Sequence, residues 1–102
     1  MENKFEKIVK FVCDYYGVDV PDIYHIDFRD EKALATYIYT FKNKIIAFYK
    51  DCYNDNRVAV HEAVHHAQYR IEGEEEWKKD PHGKRFMEMF HEVNKLVEEK
   101  FA

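Results

Sequence analysis

Cysteine is scarce in this chain, and its scarcity argues against a disulfide-based scaffold. Only Cys13 and Cys52 occur among the 102 residues, and they form no C-x-x-C pair. Two widely separated thiols are typical of reduced, structural cysteines rather than of a disulfide framework or a thiolate metal site. We therefore expect both thiols to be free and to take no part in the chemistry.

The chain also lacks an excess of positive charge and a long apolar run. Its 16 Lys and Arg residues are interleaved with 20 Asp and Glu residues, and the formal net charge is −4. Nucleic-acid binding normally requires a basic surface, and a bilayer span requires about 20 apolar residues. The opening MENK is not that of a signal peptide. We therefore expect a soluble, cytoplasmic protein without a membrane contact.

Length and composition are those of one folded unit. Hydrophobic residues make up 46% of the chain and aromatic residues 17%, which favours a globular protein over a disordered one. No internal repeat, linker or low-complexity tract divides the sequence. A chain of this size supports one modest core, so residues 1–102 are predicted to form a single domain.

Hydrophobic periodicity predicts a helix, a small sheet and two further helices, in that order. The first helix ends at Gly17, and the last begins near Gly83. Strands are predicted at residues 23–28, 34–41 and 45–49, with a hairpin turn at residues 43–44 and a polar loop at residues 51–56. The predicted inward residues of the first and last helices are Phe5, Ile8, Val9, Val12, Tyr15, Tyr16, Phe86, Met87, Phe90, Val93, Leu96 and Val97. The result is an α+β fold with a small, mostly antiparallel sheet.

The segment HEAVH at residues 61–65 has the H-E-x-x-H pattern that is typical of zinc hydrolases. It lies in a predicted helix of about 14 residues between Arg57 and Gly73. Positions i and i+4 share one helix face, so His61 and His65 are able to reach a single metal ion. Glu62 is placed beside them to accept a proton from a metal-activated water.

The same helix has an apolar stripe that predicts how it is oriented. Val60, Val64, Ala67 and Ile71 recur at spacings of four, three and four, and we expect them to face the core. His66 points about 100° away from His65 around the helix. It is therefore predicted to make an outer contact or a surface contact rather than to bind the metal.

A catalytic zinc site requires a third protein ligand, and His82 is the best candidate. It lies seventeen residues after His65, between Pro81 and Gly83, where a turn is expected to lead into the last helix. Other candidate ligands follow the motif. They are Glu72, Glu74, Glu75, Glu76, His91 and Glu92. Acidic runs of this kind usually form solvated surface.

The two blocks HEAVH (residues 61–65) and PHGKRF (residues 81–86) resemble the SprT-like metalloproteases. That family has H-E-x-x-H, an insert and then H-G-x-x-aromatic at the start of the next helix. The resemblance covers residues 34–96 and is sharp in these two blocks. It implies a minimal zincin-like domain that binds Zn²⁺ through His61, His65 and His82. It also implies that Glu62 is the catalytic acid and base, and that Gly83 and Phe86 are structural.

The chain departs from the family pattern in two respects. The insert between the two blocks is somewhat long and rich in charge, and no cysteine-rich zinc ribbon follows the last helix. Many members of the family carry such a ribbon or another DNA-binding segment. DNA association is therefore implied by the family analogy but not supported by the charge of this chain.

The expected function is zinc-dependent hydrolysis of a protein or peptide substrate. An extended peptide would add to an edge strand beside the motif helix, and either residues 35–41 or residues 45–49 could form that edge. Residues considered for stabilising the oxyanion are Tyr69, His66, His91 and Arg85, and their spacing selects none of them. Two alternatives stay open. One is a gluzincin-like peptidase with a glutamate as third ligand, and the other is a latent zinc-site protein that acts as a binding or regulatory module.

Overall fold

The computed structural model describes residues 3–26, 35–38, 44–49 and 55–101 of the chain. The elements are α1 (Lys4–Tyr16), β1 (Asp22–Ile26), β2 (Ala35–Ile38), β3 (Ile45–Tyr49), α2 (Asn56–Glu72), α3 (Glu74–Lys79) and α4 (Lys84–Lys100). The predicted α+β class is confirmed. Parts of the predicted strands, most of the polar loop, Asn43 and Cys52 lie outside the described residues.

The three strands form a mixed sheet in the order β1-β3-β2. Strand β3 pairs parallel with β1 and antiparallel with β2, where Ala35 lies opposite Phe48. The sheet therefore has one parallel and one antiparallel pair instead of being mostly antiparallel. Residue alternation predicts that a segment is a strand, but strand order depends on contacts that are distant in sequence.

Helix α1 ends at the expected residue, and a side-chain cap marks its start. The Asn3 side chain accepts a hydrogen bond from the Glu6 backbone N–H at 2.9 Å, and Gly17 closes the helix in the left-handed region with φ 70°. Tyr15, predicted to face inward, is 44% exposed and donates a hydrogen bond to Glu92. Cys13 is a buried free thiol as expected and occupies the core position next to Val12.

Helix α4 confirms its predicted start but differs in the detail of its inward face. Met87 was expected to be buried and is 41% exposed, whereas Met89 is 1% exposed. Because Met87 follows Phe86 by about 100° around the helix, it cannot share the face that Phe86 and Val93 present to the core. Phe90 is partly buried against that core.

Helix α2 lies at the centre of the fold and packs against α1, α3, α4 and β2. Three alanines along it, Ala59, Ala63 and Ala67, are fully buried, and their small side chains allow the neighbouring elements to approach. Asn56 begins this helix instead of ending the preceding loop. Ile71 was expected to face the core and is 50% exposed, whereas Val60, Val64 and Ala67 of the same stripe are fully buried. The stripe is therefore covered along the middle of α2 but not at its last turn.

Helix α3 was not predicted. Its sequence EEEWKK has no apolar periodicity, and Trp77 is its buried residue. Acidic residues in the first turn and lysines in the last turn complement the helix dipole. None of the helices in the described segments combines the length and the apolar character that a membrane crossing demands.

Candidate metal site

The motif helix holds the first two histidines on one face. Asp55 caps α2 by accepting a hydrogen bond from the Arg57 backbone N–H at 2.9 Å. The helix then runs without interruption to Glu72 and so confirms the predicted helix, at 17 residues. His61 and His65 lie one turn apart, and their Nε2 atoms are 3.1 Å from each other.

His82 joins them from a different part of the chain. Its Nε2 atom lies 3.0 Å from that of His65 and 3.2 Å from that of His61. The turn before α4 presents it, with the Gly83 N–H donating to the Asp80 carbonyl at 3.0 Å. The Asp80 side chain occupies the place where a Cβ on residue 83 would lie, which explains why glycine suits this position.

The three Nε2 atoms have the spacing that a tetrahedral metal ion requires. Zinc–nitrogen bonds of about 2.0–2.1 Å place neighbouring tetrahedral ligands roughly 3.3 Å apart. A neutral imidazole nitrogen carries either one proton or one lone pair, so three such atoms in a triangle cannot satisfy one another by hydrogen bonds. A cation that receives all three lone pairs resolves the conflict. His61, His65 and His82 could therefore hold a metal ion.

Burial keeps two of these imidazoles in the neutral form that binds metals. The pKa of His65 is lowered to about 3, mainly by burial and further by the neighbouring His61 and His82. Burial also lowers the pKa of His61, with His82 adding to the effect. Because a protonated imidazole has no free lone pair, these shifts favour metal binding near neutral pH.

Glu62 lies beside the histidines and is almost fully buried. It is 6% exposed, and one carboxylate oxygen, Oε2, lies 4.0 Å from the His61 Nε2 atom. Burial raises the pKa of Glu62 to about 7, because desolvation disfavours the charged carboxylate. A carboxyl group with a pKa close to neutral is suited to exchanging protons in both directions.

Phe86 forms a common support for all three imidazoles. Its ring stacks on His65 with centroids 4.5 Å apart, and it lies 5.0 Å from the His61 ring and 5.3 Å from the His82 ring. The side chain is 2% exposed. The sequence indicated a packing role for Phe86, but not its contact with every histidine of the group.

Two adjoining open clefts border the histidines. The larger, of about 460 Å³, is lined by Ala35, Asp55, Arg57, Val58, His61, Glu62 and Phe90. The smaller, of about 270 Å³, is lined by Ala35, Thr36, Tyr37, His61, Glu62, His65, Trp77, Pro81 and His82. They share Ala35, His61 and Glu62, so the two clefts meet beside Glu62.

Strand β2 lines both clefts, the smaller through Ala35, Thr36 and Tyr37 and the larger through Ala35. Of the two segments considered as an edge, the one at Ile45–Tyr49 is excluded because β3 lies between β1 and β2. Among the described strands, β2 pairs with β3 along one side, and three of its residues line the clefts. Hydrophobic alternation could not distinguish a central strand from an edge strand here.

Four of the other candidate ligands take part in different contacts. Within the described segments, His61, His65 and His82 are the one group of three such side chains close enough to share an ion. Glu74 pairs with Lys78 and Glu76 with Lys79. Glu72 accepts hydrogen bonds from Gln68 and Arg85. Glu92 accepts from the Tyr15 hydroxyl.

The four residues considered for oxyanion stabilisation do not line either cleft as described. His66 is fully buried, and burial lowers its pKa. It is therefore not a surface residue, and it does not belong to the group of three histidines that could share an ion. Tyr69 packs against Tyr37, and Arg85 pairs with Glu72. Tyr37, which the sequence did not single out, lines the smaller cleft.

Comparisons with known proteins do not assign a family. No protein-family model matches the chain. No curated protein and no solved structure matches it either. Function is therefore inferred from the three histidines, Glu62 and the clefts beside them.

Proposed function

We propose that this protein is a zinc-dependent metallopeptidase. In this proposal His61, His65 and His82 hold Zn²⁺, and Glu62 is the general base and general acid. The observation that carries it is the convergence of three Nε2 atoms within 3.0–3.2 Å of one another beside a buried carboxyl group. A metal site with a purely structural role has no use for such a group and usually has four protein ligands.

The proposed chemistry divides between the metal and Glu62. Zinc held by three neutral imidazoles supplies a Lewis acid that polarises a carbonyl and lowers the pKa of a water molecule to about 7. The Glu62 carboxylate accepts a proton from the attacking water and then donates it to the departing amine. A cation at the histidines favours the carboxylate over the neutral acid, so Glu62 begins the reaction as a base.

A peptide suits the shape of the site. An extended chain placed along β2 is able to form backbone hydrogen bonds with that strand, as in other complexes where a peptide adds to a sheet edge. The clefts of about 460 and 270 Å³ then receive side chains on the two sides of the scissile bond. Ala35, which both clefts share, leaves room for the backbone of the substrate.

The resemblance to SprT-like metalloproteases belongs to the same proposal. It is supported by the short distances between His82 and the two histidines of α2. A glutamate as third ligand is less well supported, because Glu72, Glu74 and Glu76 pair with basic side chains. The net charge of −4 gives no support to a DNA-linked role, so the proposed substrate is a protein or peptide.

Zinc content tests the metal site. Elemental analysis is carried out on identically purified wild type, His82→Ala, Glu62→Gln and the control His91→Ala, whose histidine is exposed on α4. We expect about one zinc ion per chain in wild type, Glu62→Gln and His91→Ala, and loss of zinc in His82→Ala. Equal zinc in all four proteins would remove His82 from the ligand set.

Peptide hydrolysis tests the enzyme. The zinc-loaded wild type is assayed against a mixture of unstructured fluorogenic peptides, with Glu62→Gln as the matched variant. Loss of the general base should lower kcat by roughly 10²- to 10⁴-fold while zinc content is unchanged. One zinc ion per chain without hydrolysis of any peptide would overturn the peptidase and favour a metal-binding regulatory module.

A further inference from the structure

A buried hydrogen-bonded chain connects the cleft wall to the motif helix. The Tyr37 hydroxyl on β2 lies 2.9 Å from Nδ1 of His66, and Nε2 of His66 lies 2.8 Å from the Asp19 carbonyl oxygen. His66 is fully buried, and Tyr37 is 9% exposed. One imidazole thus joins three parts of the fold, namely β2, α2 and the segment between α1 and β1.

The partners of His66 determine where its proton lies. A carbonyl oxygen only accepts hydrogen bonds, so Nε2 of His66 carries the proton and donates it to Asp19. A second proton on Nδ1 would place a positive charge in a fully buried position, which is costly. Nδ1 therefore presents a lone pair, and the Tyr37 hydroxyl donates to it.

The far end of the chain is anchored by an ion pair. Arg70 donates to both carboxylate oxygens of Asp19, at 2.8 and 3.1 Å. Because Arg70 follows His66 by four residues on α2, both side chains reach Asp19 from the same helix face. Asp19 is thereby held in place, and the orientation of the His66 ring is fixed from both sides.

We infer that His66 and Tyr37 are positioning residues that set the distance between β2 and the metal site. This inference rests on the proposed peptidase function, in which a substrate lies along β2. His66 is the next residue after His65, so the hydrogen bond from Tyr37 fixes β2 relative to a ligand of the proposed zinc ion. The Tyr37 hydroxyl donates its hydrogen bond to His66, so it is not available as a donor to an oxyanion.

Tyr37→Phe tests the inference with the smallest change. It retains the ring, which packs edge-on against His66, Tyr69 and Trp77, and removes only the donor to His66. The matched control is Tyr16→Phe, because the Tyr16 hydroxyl donates at 2.7 Å to the carbonyl of Met89 on α4. Both variants lose one tyrosine hydrogen bond, but only Tyr37 connects β2 to α2.

The first readout is independent of catalysis. Hydrogen–deuterium exchange, followed by mass spectrometry on fragments that span residues 35–38, reports how firmly β2 is held. Loss of one hydrogen bond should speed exchange in these fragments about three- to tenfold in Tyr37→Phe and leave it unchanged in Tyr16→Phe. Unchanged exchange in Tyr37→Phe, or equal acceleration in both variants, would overturn the inference.

The second readout separates positioning from general stability. With zinc content unchanged, Tyr37→Phe should raise KM for peptides about three- to tenfold and alter kcat by less than about twofold. Tyr16→Phe should leave both constants unchanged. An unchanged KM in Tyr37→Phe would overturn the inference even if β2 exchanged faster. If wild type hydrolyses no peptide, the proposed function fails, and the exchange experiment still decides whether Tyr37 holds β2.

Discussion

Truncation of Phe86 should weaken both the core and the metal site, because the ring serves both. The side chain is 2% exposed, and replacing a buried Phe with Ala typically costs about 3–5 kcal/mol of unfolding free energy. The ring also stacks on His65 at 4.5 Å and contacts the other two histidines. Loss of a group that orients metal ligands typically weakens metal binding by about 10- to 100-fold.

Two measurements separate these effects. Urea unfolding of Phe86→Ala in the presence of a chelator gives the loss of stability, and competition with a chromophoric chelator gives zinc affinity. Met89→Ala is the matched control, because Met89 is 1% exposed on the same helix and its truncation should cost about 2–5 kcal/mol. The Met89 side chain has no ring, so it cannot stack on a histidine as Phe86 does.

We expect both variants to lose stability and only Phe86→Ala to lose zinc affinity. Equal loss of zinc affinity in the two variants would refute the argument, because it would show that general loosening of α4 explains the effect. Phe86→Leu provides the same test in a more stable background, since a swap that nearly conserves volume usually costs less than about 1.5 kcal/mol. It removes the flat ring while most of the apolar volume remains.

Two further predictions concern stability without metal. Burial raises the pKa of Glu62 from 4.5 to about 7, so the native state holds this proton more tightly than the unfolded state. The free energy of unfolding therefore falls as pH rises from about 4.5 to 7. The unfolding free energy of Glu62→Gln should therefore exceed that of wild type by up to about 3 kcal/mol above pH 7 and by almost nothing below pH 4.5. Urea unfolding of both proteins above pH 7 and below pH 4.5 checks this, and an equal difference in the two ranges would contradict it. Gly17→Ala should cost about 1 kcal/mol, because φ is 70° and no neighbouring atom would meet the added Cβ. Gly17→Asn should cost less, since asparagine tolerates this conformation, and equal losses in urea unfolding would show that the backbone conformation is not the cause.

Local spacing in the sequence determined the elements that surround the site. The four-residue separation of His61 and His65 places them on one face of α2 wherever that helix packs. Gly17 ends α1 because glycine adopts positive φ without a steric cost. These features depend on residues within one or two turns of each other, so they were predictable from the chain alone.

Packing decided which of these residues are buried. Ile71 fits the apolar stripe of α2 but is 50% exposed, and Met87 fits an inward position on α4 but is 41% exposed. Periodicity describes a helix face, whereas burial depends on which other elements cover that face. Helix α3 escaped prediction for a related reason, because its one buried residue, Trp77, creates no periodic pattern.

The sequence by itself determined the α+β class, the motif helix and the candidate set of three histidines with Glu62. Only the tertiary structure decided that His82 meets His61 and His65, that β2 rather than β3 borders the clefts, and that His66 joins β2 to α2. The physical reason is distance along the chain. Helix and strand periodicity arise between near neighbours, whereas the position of His82 and the order of the strands depend on packing among segments 17 or more residues apart.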